Sequence, residues 1–173
     1  VVIERLKDVR DTQIVYEEVN NEYAKDFESL IKFVDTAMVP ITQRRDTLVL
    51  DEERTRAFGG VETFKTIVLT DTLSYYSVKD SLFNGTDRYK NLMNVGVGKP
   101  GAKFKLEAGK IENIPVFEAS VDKEVILYDQ AQYLIEKEKQ VVSVDAVNGP
   151  TLKVGSMEEV NTNGNWPKNY AKE

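Results

Sequence analysis

The feature that most constrains this fold is a switch in hydrophobic period at Pro40. Before it, apolar residues recur at helical spacing; after it, β-branched and aromatic residues alternate. Val2, Leu6, Val9 and Tyr16 share one stripe, interrupted by Gln13, while Glu4, Arg5, Lys7, Asp8, Arg10 and Asp11 occupy the other faces. This predicts an amphipathic helix from about residue 1 to about residue 19, ending at Asn20-Asn21, whose side chains tolerate a left-handed C-terminus. Asp26 can cap a second, shorter helix carrying Phe27, Leu30, Ile31 and Val34 on one face, and Pro40 closes the helical region.

Beyond Pro40 the chain reads as an antiparallel meander. Residues 47–50 suit a strand, 51–58 a charged helical stretch closed by Gly59-Gly60, and 61–79 two strands or one long bent strand. Asn84-Gly85 reads as a hairpin turn, even though Asn84-Gly85-Thr86 has the form of a glycosylation acceptor, and residues 94–101 read as a turn loop. Phe104 and Leu106 are expected to pair with Ile114, Val116 and Phe117. A short helix is expected within 124–140, and a last hairpin between 141–144 and 152–154 around Asn148-Gly149-Pro150. The predicted class is α+β, with two N-terminal helices packed on an antiparallel sheet. The divisions are a helical region at 1–40, a sheet region of the same domain at 41–160, and a polar tail at 161–173 with Trp166 as its anchor.

A chain of 173 residues, 41% hydrophobic, can bury a true core. Its net charge of −6 comes from acidic and basic residues that are interleaved, which argues against the concentrated cationic face that nucleic acid requires. Cysteine and histidine are both absent, which removes thiol nucleophiles, thiolate metal sites, disulfides and the commonest general base. No apolar run reaches the length needed to cross a bilayer. Asp51, Glu52, Glu53, Glu62 and Glu118 supply carboxylates for hydrolytic chemistry, but no pattern singles out a pair. The run "NVGVGKPG" at 94–101 lacks the Gly-Lys-Ser/Thr ending of a phosphate loop, and its Pro100 removes an amide donor. No catalytic residue, metal ligand or cofactor site is therefore expected, and the chain reads as a non-enzyme. Tyr75, Tyr76 and Trp166 are candidates for a partner or ligand surface, with the alternation placing one tyrosine inward and one outward.

The segments "VIERLKDVRDTQIVY", "YAKDFESLIKFV", "DTLSYYSVKDSLF", "FKLEAGKIENIPVFEA" and "LKVGSMEEVNTNGNW" are spread along nearly the whole chain, from Val2 to Trp166. In this order they resemble an uncharacterised family of single-pass, membrane-anchored envelope proteins of Bacteroidota. The resemblance implies a hydrophobic helix ahead of Val1, a domain in the periplasm or outside the cell, and other envelope proteins or further copies as partners. A weaker likeness in layout links Arg10, Gln13, Tyr16, Tyr23 and Leu30 to type IV pilins and pseudopilins. Four triplets, Asp35-Thr36-Ala37, Asp46-Thr47-Leu48, Asp71-Thr72-Leu73 and Asp80-Ser81-Leu82, resemble the O-glycosylation acceptor of that phylum, with Thr36, Thr47, Thr72 and Ser81 as attachment oxygens. The simpler reading is that Asp and Ser or Thr bond local backbone at element edges. The function expected is structural or assembly work in the envelope; the alternative is a periplasmic module binding glycan or peptide.

Overall fold

The structure, a computed structural model, describes residues 1–143 and 145–167. It is α+β, as the change of period predicts. Helix α1, Val2–Asn20, ends where Asn21 turns left-handed at φ 57° and its N–H bonds the Glu17 carbonyl. Helix α2, Phe27–Thr36, is capped by Asp26, whose carboxylate accepts from the Ser29 N–H at 2.7 Å. The interruption of the α1 stripe has a structural cause. Gln13 is fully buried, accepting from the Ala24 N–H at 2.9 Å and donating to the Ala24 carbonyl at 2.8 Å. Its side chain stands in for a strand partner and ties down the α1–α2 connection.

After α2 the contacts divide the chain into two compact units, Val1–Ala37 with Ser77–Glu173, and Met38–Tyr76. The division expected at residue 40 is thus drawn instead as an insertion between residues 37 and 77. The inserted unit is a two-stranded ribbon of β1, Met38–Leu50, and β2, Phe64–Ser77, with the short helix α3, Glu52–Ala57, at its tip. Asp51 caps α3, and its N–H bonds the Thr63 carbonyl at 2.7 Å. Arg45 on β1 pairs with Asp71 on β2 at 2.9 Å. Partner positions fall along one strand as they rise along the other, which makes the ribbon antiparallel.

The chain re-enters the first unit through α4, Val78–Phe83, whose N-terminal Ser77 hydroxyl accepts from the Asp80 N–H and whose Val78 N–H bonds the Ala37 carbonyl at 3.2 Å. The strand reading of 61–79 therefore overshoots, and Asn84-Gly85 is not a hairpin turn. Asn84 is the left-handed C-cap of α4, its N–H on the Lys79 carbonyl. A 3-10 turn, Asp87–Asn91, leads to the glycine loop and then to β3, Lys105–Ile111, and β4, Ile114–Asp122, followed by α5, Lys123–Ile126, and α6, Gln132–Lys139. The last strand, β5, is Thr151–Gly155.

These strands form a three-stranded antiparallel sheet in the order β3-β4-β5. The hairpin expected between 141–144 and 152–154 does not form. Ala119 and Val121 of β4 face Val154 and Leu152, so β5 buries its apolar side against the central strand. Residues 141–143 are not in a strand; Asn148 bridges both backbone groups of Ser143, and Val144 lies outside the described residues.

Helix α1 lies on β4 and β5 and packs against α2 and α4, while α2 packs chiefly on α1, α4 and the 3-10 turn. Leu6, Val9, Leu30, Val34, Phe83, Tyr89 and Phe117 are all essentially inaccessible. Each such apolar side chain contributes roughly 1.5–3 kcal/mol relative to exposure. Tyr16 packs edge-on against Phe33 and Tyr23 against Phe117, at 4.9 and 4.7 Å between ring centroids. Gly155, at φ 76°, is where β5 runs too close to the Phe117 carbonyl for any Cβ. The tail folds back as far as Gly164, which bridges Val154, and the portion beyond Pro167 lies outside the described residues.

Candidate functional site

The four expected glycan acceptors sit on four different elements. Thr36 ends α2, exposed, with its hydroxyl donating to the Lys32 carbonyl at 2.9 Å; Ser81 is exposed on α4. Thr72 is exposed on β2 and Thr47 half-buried on β1. The neighbouring acids have uses of their own. Asp35 accepts from the Tyr89 hydroxyl at 2.5 Å, and Asp71 holds Arg45.

The aromatic residues expected as a partner or ligand surface fall in different units. Tyr75 and Tyr76 are consecutive in β2 and so point to opposite sides of the ribbon, Tyr75 exposed and Tyr76 half-buried. Trp166 belongs to the other unit, where its ring covers Gly164.

Two of the carboxylates weighed for hydrolysis have structural partners. Asp51 caps α3, and Glu118 is engaged by Lys153 at 2.7 Å on the sheet. Among the described residues no three acidic side chains gather in a metal-sized cluster. The glycine loop is a packed structural element. Arg5 of α1 donates to the Asn94 carbonyl at 2.7 Å, Lys99 N–H bonds the Val125 carbonyl at 2.9 Å, and a Cβ on Gly98 would strike the Val125–Ile126 backbone. A cleft of about 350 Å³ lies beside it, lined by Lys99, Asp122, Glu124, Val125, Tyr128, Gln132 and Ile135.

Two polar arrangements escaped the sequence reading. Tyr89 is buried between α2 and α4, its hydroxyl on Asp35, with the ammonium groups of Lys79 and Lys90 at 5.4 and 5.8 Å from its ring. The bond to Asp35, together with burial, raises the Tyr89 phenol above its usual pKa, and the same two lysines bond Asp87 and lower its carboxyl. Lys123 is buried, and its ammonium donates to the Glu138 and Val147 carbonyls at 2.7 and 2.6 Å. Both tie elements together: the first locks the 3-10 turn to α2 and α4, the second gathers α6 and the 145–150 segment onto the end of β4.

What distinguishes the molecule is the inserted ribbon. Not one residue of 38–76 is buried. Of nineteen exposed large hydrophobic side chains among the described residues, ten lie in this unit, and Leu48, Phe58, Val61, Val68, Leu73 and Tyr75 are each more than 60% exposed. A chain that expects to meet only water places lysine, glutamate or proline at such positions. In comparisons with known proteins, no family model, curated protein or solved structure matches the chain.

Proposed function

We propose that the protein is a non-enzymatic structural and assembly component of the cell envelope, held to other macromolecules through residues 38–76. The observation that carries this reading is that unit's lack of any buried residue despite its apolar content. A two-stranded ribbon standing alone is marginally stable in water, and so high a density of exposed apolar side chains marks a surface that is covered in use. The resemblance to membrane-anchored envelope proteins of Bacteroidota supports the location, with the domain in the periplasm or outside the cell and a tether outside this sequence. Exposed hydroxyls at Thr36, Thr72 and Ser81 are compatible with glycan attachment in that compartment. Binding of glycan or peptide has less support, because Tyr75 and Tyr76, consecutive in β2, point to opposite sides of the ribbon.

The cysteine-free chain makes the test direct. A single cysteine is placed at Val68, with Glu136→Cys as an exposed control on α6. Maleimide labelling is then compared in intact envelopes and in urea-denatured protein. Assembly through the ribbon predicts that Val68→Cys is shielded in envelopes and reactive when denatured, with the control reactive in both. Equal labelling of Val68→Cys in both states would remove the reading.

A further inference from the structure

The ribbon's two edges are not alike. Strand β1 carries Pro40, which has no N–H to offer a neighbour, and the charged run Arg44-Arg45-Asp46. These are the devices by which proteins blunt an edge. The fourteen residues of β2, FKTIVLTDTLSYYS, contain neither proline nor glycine and only two charges, Lys65 and Asp71. Lys65 has no ion pair among the described residues. In a two-stranded ribbon each strand keeps one edge of unpaired N–H and C=O groups, so β2 presents an unguarded edge rich in β-forming residues.

The two charges are placed symmetrically about Val68. We propose that the ribbon's occupant is a second copy of this chain, joined antiparallel through the β2 edges about a twofold axis at Val68. This deepens the assembly reading above and rests on it. In that register Lys65 lies opposite Asp71 of the second copy, and the twofold axis repeats the pair. Ile67 meets Leu69, Thr66 meets Thr70, and Val68 meets itself. Asp71 can serve both partners, because its Oδ2 lies 2.9 Å from the Arg45 Nε within the ribbon and its Oδ1 is left for the lysine.

Alternative registers are worse on two counts. A slip of one residue sets the half-buried Ile67 and Leu69 against the threonine side of the other strand. A slip of two places Lys65 opposite Leu69 or Leu73 and loses both charge pairs. The product is a four-stranded sheet, β1-β2-β2-β1, whose only free edges are the two blunted β1 strands. Pairing of this kind is isologous and closes at the dimer.

The experiment uses the full chain. Lys65→Asp and Asp71→Lys each place like charges opposite one another in a homodimer and are expected to weaken it about tenfold in sedimentation velocity. Mixed in equal amounts, the two variants restore opposite charges across both pairs, so the mixture is expected to dimerise as the wild type does. A folding defect in either variant would not be repaired by mixing. Oxidised Val68→Cys is expected to give a covalent dimer, and Leu48→Cys on β1 to give none. A wild-type monomer, single variants that dimerise unchanged, a mixture without recovery, or cross-linking at Leu48→Cys in place of Val68→Cys would each overturn the proposal. If Val68→Cys is shielded in envelopes while the purified chain is monomeric, the occupant is another protein and the assembly reading stands. If it is not shielded, that reading fails as well.

Discussion

Gln13 shows how a polar residue in an apolar stripe can hold a fold together. Its amide satisfies both backbone groups of Ala24 in a site without water access. Gln13→Ala strands a buried donor and a buried acceptor, and a loss of about 3 kcal/mol is expected, read as a lowered urea midpoint with an unchanged slope. Sequence alone marked Gln13 as a flaw in the stripe because its partner lies eleven residues away in a connection without periodicity. The Asp26 cap, by contrast, was legible, since its partner is local. Asp8 gives a pH dependence. Burial raises its carboxyl above the ordinary 3.8, outweighing the Arg88 guanidinium 3.1 Å away that lowers it. The folded state therefore holds the proton more tightly than the unfolded state. The stabilisation is complete below pH 3.8 and is lost as pH rises through the folded value. The stability of wild type minus that of Asp8→Asn should accordingly fall as pH rises through that window, measured by denaturation at stepped pH. A difference that rises instead would reverse the assigned sign.

Among the elements, the β3–β4 hairpin carries a local strain that invites a test. Glu112 and Asn113 make a two-residue turn with φ of 49° and 70°, a type I′ geometry that suits Asn-Gly far better than Glu-Asn. Replacing the pair with Asn-Gly is expected to stabilise the protein by about 1 kcal/mol, seen as a raised thermal midpoint. The alternation of Ile114, Val116 and Phe117 with Leu106 made the pairing itself readable. Helix α4 was readable in principle, because Ser77 and Asp80 stand at capping-box spacing, but the alternating Tyr75-Tyr76-Ser77-Val78 run imitates a continuing strand. The partner of β5 was beyond local reading: 141–144 and 152–154 are near in sequence, but only β4 offers Leu152 and Val154 a core to enter.

For the whole molecule, α+β was legible because the helical spacing before Pro40 gives way to alternating stretches after it. The discontinuity of the first unit was not, because 38–76 has the composition of core strands and what differs is that nothing covers them. Since Val78 N–H bonds the Ala37 carbonyl, the insertion leaves and re-enters at one point. The surrounding unit keeps its own core without it. The most direct measurement is therefore excision: residues 38–76 are replaced by a short Gly-Ser bridge in the gene as its organism carries it. Circular dichroism of the purified product and native electrophoresis of the solubilised envelope follow. The account predicts a cooperatively folded protein within about 1 kcal/mol of the parent unit's stability, and loss of the high-mass species that contains it. A folded excision variant that still migrates in the same high-mass species would contradict the claim that assembly runs through the ribbon.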